Sequence, residues 1–308
     1  MLLHTVYTVM TPTNTVEGPA LPFTLSLDAA TKASLVEQQN DIELHIDRKI
    51  DPTRLELVEV SGRYKVLPDG TEVPVPTLRL VEDEAVENIL SQDFISALTF
   101  LSDIPLSLSR PPFSDRFVPE TDEDRELLER FGTDQPYHRF SPQARIRSFS
   151  TGGITTKTFT DLLPRRVGLR LYANAMKANL AVAQFREFWR VLEAAFGTRD
   201  NELVALLAKY EPARKLGFDE DEVKQLLWLR GRASHAQSSA GIKELVYVDQ
   251  ECEKQLPRLK NLCERVIITK KAWGYPTVGT DELLPLVSFI GPGNSMTIFQ
   301  TLSEESSK

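Results

Sequence analysis

The string LLWLRGRASHAQSS holds the residues best suited to chemistry: Arg230, then four residues, then His235. Histidine titrates near neutral pH and serves as acid or base. Arginine is a lasting cation that holds negative charge on an oxyanion. Val223, Leu226 and Leu227 define the buried stripe of a helix, and the next positions on that stripe are Arg230 and Ser234. An arginine on a core-facing side needs a partner. Gly231 sits inside the same helix, where it costs about 1 kcal/mol against alanine. Such a glycine often admits close approach of a backbone or a ligand. A structural reading stands beside the chemical one. Glu193 lies at the edge of the apolar stripe Phe185, Phe188, Trp189, Leu192 and Phe196 of an earlier helix. From there it can pair with Arg230, leaving His235 to satisfy the last helix carbonyls.

Other candidates are weaker. His4, His45 and His138 have no partner at useful spacing and read as strand or surface histidines. Asp122, Glu123 and Asp124 lack calcium-loop spacing and read as a solvated acidic face. Gly291-Pro292-Gly293 is followed by neither a lysine nor a helix start, which argues against a phosphate loop. There is no GxSxG string and no dinucleotide fingerprint. Cys252 and Cys263 are eleven residues apart in one helical region, about 16 Å along the axis, too far for a disulfide. Free thiols, a reducing compartment and a cytoplasmic location are therefore expected. No zinc spacing is present, and neither a metal nor another cofactor is expected.

The elements that must position these residues follow from pattern. In the N-terminal half HTVYTV, FTLSLD, IELHID and LELVEV read as strands between Pro, Gly, Asn and Asp. LELVEVSGRYKVL reads as a hairpin turning at Ser61-Gly62, and PVPTLRLVED as a strand that Pro74 and Pro76 place at an edge or bulge. A helix is predicted from Asp83 to Leu101, then an irregular stretch over 103–143 with a short helix from Asp122 to Phe131. Gly152-Gly153 reads as a hinge. Beyond it the period becomes helical: Pro164 to Ala178, Leu180 to Phe196 with Gly197 as the stop, Asn201 to Tyr210, Phe218 to His235, and Ile242 to Lys271 with a kink at Pro257. LPLVSFI and MTIFQTL around GPGN read as a terminal hairpin. The expected fold is α+β: an acidic strand-rich domain over 1–152, a helical bundle over 153–275, and a hairpin and tail over 276–308.

Charge divides the same way. The chain carries −8 overall, but residues 1–150 carry −11 and residues 151–308 carry +3. Between Lys157 and Arg190 seven basic residues, among them Arg186 and Arg190, face two acidic ones, Asp161 and Glu187. The plain reading of that stretch is a solvated helix face. The overall charge excludes nucleic-acid binding through bulk attraction, though the C-terminal half leaves local contact open. No apolar run reaches the roughly 18 residues of a membrane span, and the first residues carry no signal-peptide pattern.

The helix order, the string YANAMKANLAVAQFREFWRVLEAAFG and the later LRGRASHA together resemble the HEPN superfamily, most of all its Apea-like branch. The resemblance covers roughly Asp161 to Lys271. It implies a four- or five-helix bundle, a homodimer, and metal-independent cleavage of RNA through its own 2′-hydroxyl. Arg230 and His235 would be the active pair, with Arg232, Ser234, Glu193, Arg186 and Arg190 in support. Two chains would bring two histidines to one cleft, one as base and one as acid. In many active members a polar residue follows the arginine, whereas here Gly231 does. The family is common in bacterial defence and toxin systems. The N-terminal half would then sense or regulate, its acidity masking the basic helices. The alternative is a non-catalytic dimerisation and interaction module whose N-terminal half binds a small molecule or protein.

Overall fold

Alternation decides the N-terminal half. In the strand Asp41–Lys49, Ile42, Leu44 and Ile46 enter the core, while Glu43, His45 and Asp47 take the opposite face. The computed structural model describes residues 1–11, 15–38, 41–80, 84–110, 115–130, 148–151, 154–234, 242–271 and 273. The N-terminal strands are β1 (Leu2–Met10), β2 (Thr15–Gly18), β3 (Phe23–Ser26), β4 (Thr31–Gln38), β5 (Asp41–Lys49), β6 (Leu55–Val66) and β7 (Glu72–Leu80). Helix α1 (Glu84–Ser102) follows, then β8 (Ser107–Ser109), β9 (Asp115–Val118), α2 (Asp122–Arg130) and β10 (Ser148–Thr151). The rest is helical: α3 (Thr156–Leu162), α4 (Arg166–Lys177), α5 (Ala181–Phe196), α6 (Asp200–Lys209), α7 (Glu211–Lys215), α8 (Glu220–Ser234) and α9 (Ile242–Thr269). The α+β layout expected from the sequence is the observed one.

Six strands form an antiparallel sheet in the order β3-β4-β5-β1-β8, with β9 sharing the outer edge of β1. The irregular stretch expected over 103–143 thus contributes two strands and α2. The β6–β7 ribbon turns at Leu67–Thr71, where Gly70 takes a φ of 84° that favours glycine. Ser61-Gly62 lies inside β6 instead of at a turn, and the register shifts between Glu59 and Tyr64. A bulge absorbs the residues expected to turn, and Pro74 and Pro76 face it on β7, where a missing N–H is tolerated. Strand β4, TKASLVEQ, was not anticipated. Its lysine and serine positions alternate with Ala33 and Leu35, which are fully buried.

Helix α1 is enclosed on nearly every side from Leu90 to Thr99, save Gln92. One side meets the sheet and another meets α4. Phe94 stacks on Phe159 of α3 at 4.9 Å between centroids, and Phe23 of β3 lies 5.2 Å from the same ring. The aromatic series continues from Phe100 to Tyr172 to Phe188. Sheet and helices therefore share one hydrophobic core. Buried polar groups on α1 are answered from α4. Arg170 Nε donates to Asp93, and Arg166 Nη1 lies 4.0 Å from the same carboxylate. Desolvation raises the Asp93 pKa, and the hydrogen bond from Arg170 opposes that shift.

In the helical part Pro164 sits in a 3-10 turn, Leu163–Arg165, ahead of α4 instead of inside it. Gly197 closes α5 with a φ of 66°, its N–H donating to Glu193 O. Pro257 lies within the continuous helix α9. Cys252 and Cys263 are free and buried, and burial pushes the Cys252 thiol up to about 12. Asp83, the Gly152-Gly153 hinge and the terminal hairpin lie outside the described residues. No helix among the described residues is long and apolar enough to cross a membrane.

Candidate functional site

Helix α8 is started by its own acids. Asp219 Oδ1 accepts from Glu222 N, and Glu220, Asp221 and Glu222 occupy the first turn, where the helix dipole favours negative charge. Val223, Leu226 and Leu229 anchor its inner face. Arg258 of α9 binds Glu222 at 3.0 Å and lies over the Phe218 ring, fixing the start of α8 against α9.

The far end of α8 carries Arg230. Its Nη2 donates to Glu193 Oε1 of α5 at 3.0 Å, with the side chains 23% and 11% exposed. The pairing expected from the two stripe edges is present. Among the described residues Glu193 takes one guanidinium nitrogen, and arginine carries five N–H donors. The remaining donors can face a phosphate while Glu193 fixes the plane of the group. A Cβ built on Gly231 meets nothing within 4 Å among the described residues, so none of them requires that glycine for packing.

Helix directions place the other cations. Cys263 Sγ meets Phe188 O and Lys270 lies over the Phe196 ring, so α5 and α9 run parallel. Seven residues join α8 to α9, and Glu222 meets Arg258, so those two run antiparallel. The C-terminal end of α8 thus points toward the start of α5. Arg190 and Arg186 lie three and seven residues before Glu193, on nearly the same stripe, and step toward that end. Both are exposed, and Arg190 Nη1 donates to both Glu187 oxygens at 3.0 Å. Arg232 lies over Trp228 at 5.5 Å, on the other side of α8 from Arg230. Ser234 is the last described residue of α8, and His235 lies outside the described residues, as does His138.

The basic stretch from Lys157 to Arg190 is largely answered within the chain instead of being a plain solvated face. Lys157 meets Asp161, Arg165 meets the carbonyls of Asp161 and Lys270, and Arg166 and Arg170 turn to Asp93. Asp124 also departs from expectation. It is buried and accepts from the N–H groups of Glu120 and Thr121 at the start of α2.

The strands hold a second cluster that sequence reasoning passed over. His4 and His45 do have partners. His4 Nδ1 donates to Asp47 Oδ1 at 2.5 Å, and His45 Nε2 to Glu43 Oε2 at 2.9 Å. The two rings lie 5.0 Å apart at 74°. The signal was the alternation of HTVYTV and IELHID, which puts each histidine on the polar face of its strand; the register that joins them is not in either string. Among the described residues no three His, Cys, Asp or Glu side chains converge as a metal site. No protein-family model, curated protein or solved structure matches this chain.

Proposed function

We propose that the chain is a HEPN-like, metal-independent endoribonuclease that acts as a homodimer, with Arg230 and His235 as its reacting pair. The observation that carries this reading is the placement of Arg230. It is held by Glu193, partly exposed, beside the Arg186–Arg190 stripe, and in the sequence it lies five residues before His235. One His235 takes the proton from the RNA 2′-hydroxyl, and that oxygen attacks the adjacent phosphorus. The His235 of the second copy gives a proton to the departing 5′-oxygen. Arg230 offsets the charge gathered on the phosphate between those events. The products are a 2′,3′-cyclic phosphate and a 5′-hydroxyl. Arg186 and Arg190 would hold the flanking backbone. The purified protein should cut RNA in EDTA and leave cyclic phosphate ends; intact RNA, or cutting only after Mg²⁺ is added, would discard the reading.

Two observations favour a second reading, a non-catalytic interaction module. The Glu193 carboxylate already satisfies part of Arg230, as a structural ion pair does. Around the same end, Trp228, Leu245, Val246 and Tyr247 are about half exposed, which suits association without chemistry. A stable dimer that leaves RNA intact is the outcome that selects it.

A further inference from the structure

We infer that His4 and His45 form a binding site for one divalent transition-metal ion on the face of the N-terminal sheet turned away from α1. This stands apart from the ribonuclease reading and uses none of its residues. In the β1–β5 register His4 pairs with Asp47 and Val6 with His45, so the two histidines are diagonal neighbours across adjacent strands. Each ring spends one nitrogen on a carboxylate: His4 Nδ1 on Asp47 and His45 Nε2 on Glu43. His4 Nε2 and His45 Nδ1 are then the nitrogens that a metal ion would engage, displacing any proton they carry. A carboxylate behind an imidazole is the usual outer support of a metal-binding histidine, raising its basicity and fixing its plane.

The spacing agrees. Two imidazoles on one ion, with metal–nitrogen bonds of roughly 2.0–2.1 Å in tetrahedral array, put their centroids about 5 Å apart. The observed separation is 5.0 Å. Glu43 and Asp47 bring two negative charges to this face, and Arg116 and Lys32, in register with His4 and Asp47, bring two positive ones, so the ion is held by the imidazoles and not by net charge. The histidine side chains are 26% and 16% exposed, open to a small ion on a rigid sheet. No third such side chain converges among the described residues, so water completes the shell. A site of two imidazoles ranks Cu²⁺ above Zn²⁺.

The test is titration of the full chain with Cu²⁺ and with Zn²⁺ alone, by calorimetry, with electron paramagnetic resonance of the copper form. The expected result is one ion per chain, copper tighter than zinc, and a copper spectrum split by two nitrogens. His4→Gln and His45→Gln should each weaken binding by at least about 100-fold, and Asp47→Asn by about 10- to 100-fold. Circular dichroism checks that each variant folds. No binding by the unaltered chain, a copper spectrum without nitrogen splitting, or equal binding by the double histidine variant would overturn the assignment. The spectrum needs no variant, so an absence of nitrogen splitting overturns the assignment even if a substitution prevents folding.

Discussion

Arg230 on the helices and the His4–His45 pair on the sheet are both held by carboxylates, yet the holding differs in kind. Arg230 draws its partner from another helix, at a sequence distance of 37 residues, so its pair also fixes how α5 and α8 pack. His4 draws on the strand it is hydrogen-bonded to, and His45 on a residue two places along its own strand. Their partners come from strand register for His4 and from the period of two along one strand for His45. Packing order creates the first site, and it should weaken when packing is disturbed. The sheet cluster should persist as long as β1 and β5 stay paired. Both regions nonetheless depend on one core, with α1 between them.

The largest expected effect tests that shared dependence. Phe94 is fully buried against Phe23 of the sheet and Phe159 of α3, and Phe94→Ala should cost about 3–5 kcal/mol in denaturant unfolding. The loss should appear as one transition; separate melting of sheet and helices would break the comparison into two independent bodies. Next comes the ion pair. Glu193→Ala takes the described carboxylate partner from a partly buried guanidinium, and a double-mutant cycle with Arg230→Ala should return a coupling of about 1–3 kcal/mol. A coupling near zero would make the contact incidental. Gly231→Ala should then raise stability by up to about 1 kcal/mol, because the added methyl group meets open space. If stability rises while RNA cleavage falls, the surface at Gly231 serves the reaction and not the stability of α8. Thiol labelling gives the smallest effect. Burial raises the pKa of both cysteines, so neither should react with a disulfide reagent at pH 8 before unfolding.

Much of the helical half was legible because its signals are local. Gly197 stops α5 and the acids at 220–222 start α8. Glu193 and Arg230 could be matched because each sits at the edge of an apolar stripe. What stayed hidden was set by contacts across the chain. Ser61-Gly62 carries turn residues, but pairing with β7 draws them into a bulged strand. Strand β4 is polar enough to pass for a loop until its alternate residues meet the core. His4 and His45 stand 41 residues apart, and only strand register shows that they are neighbours. Asp124 looked solvated because a run of three acids normally is, yet one helix start needs its oxygens. Helix α1 buries its apolar residues Leu90, Phe94 and Leu98 as a stripe predicts, and being packed on both sides it buries Ser91, Asp93 and Ser96 too.

Cleavage of a labelled RNA in EDTA by the unaltered chain and by His235→Ala, side by side, is the most direct check on the catalytic role. The expected result is cutting by the unaltered protein and a fall of about 10²- to 10⁴-fold in the variant, with folding unchanged by circular dichroism. Equal cutting by the two proteins would show a contaminating nuclease or another site, and would contradict the role given to the Arg230–His235 pair.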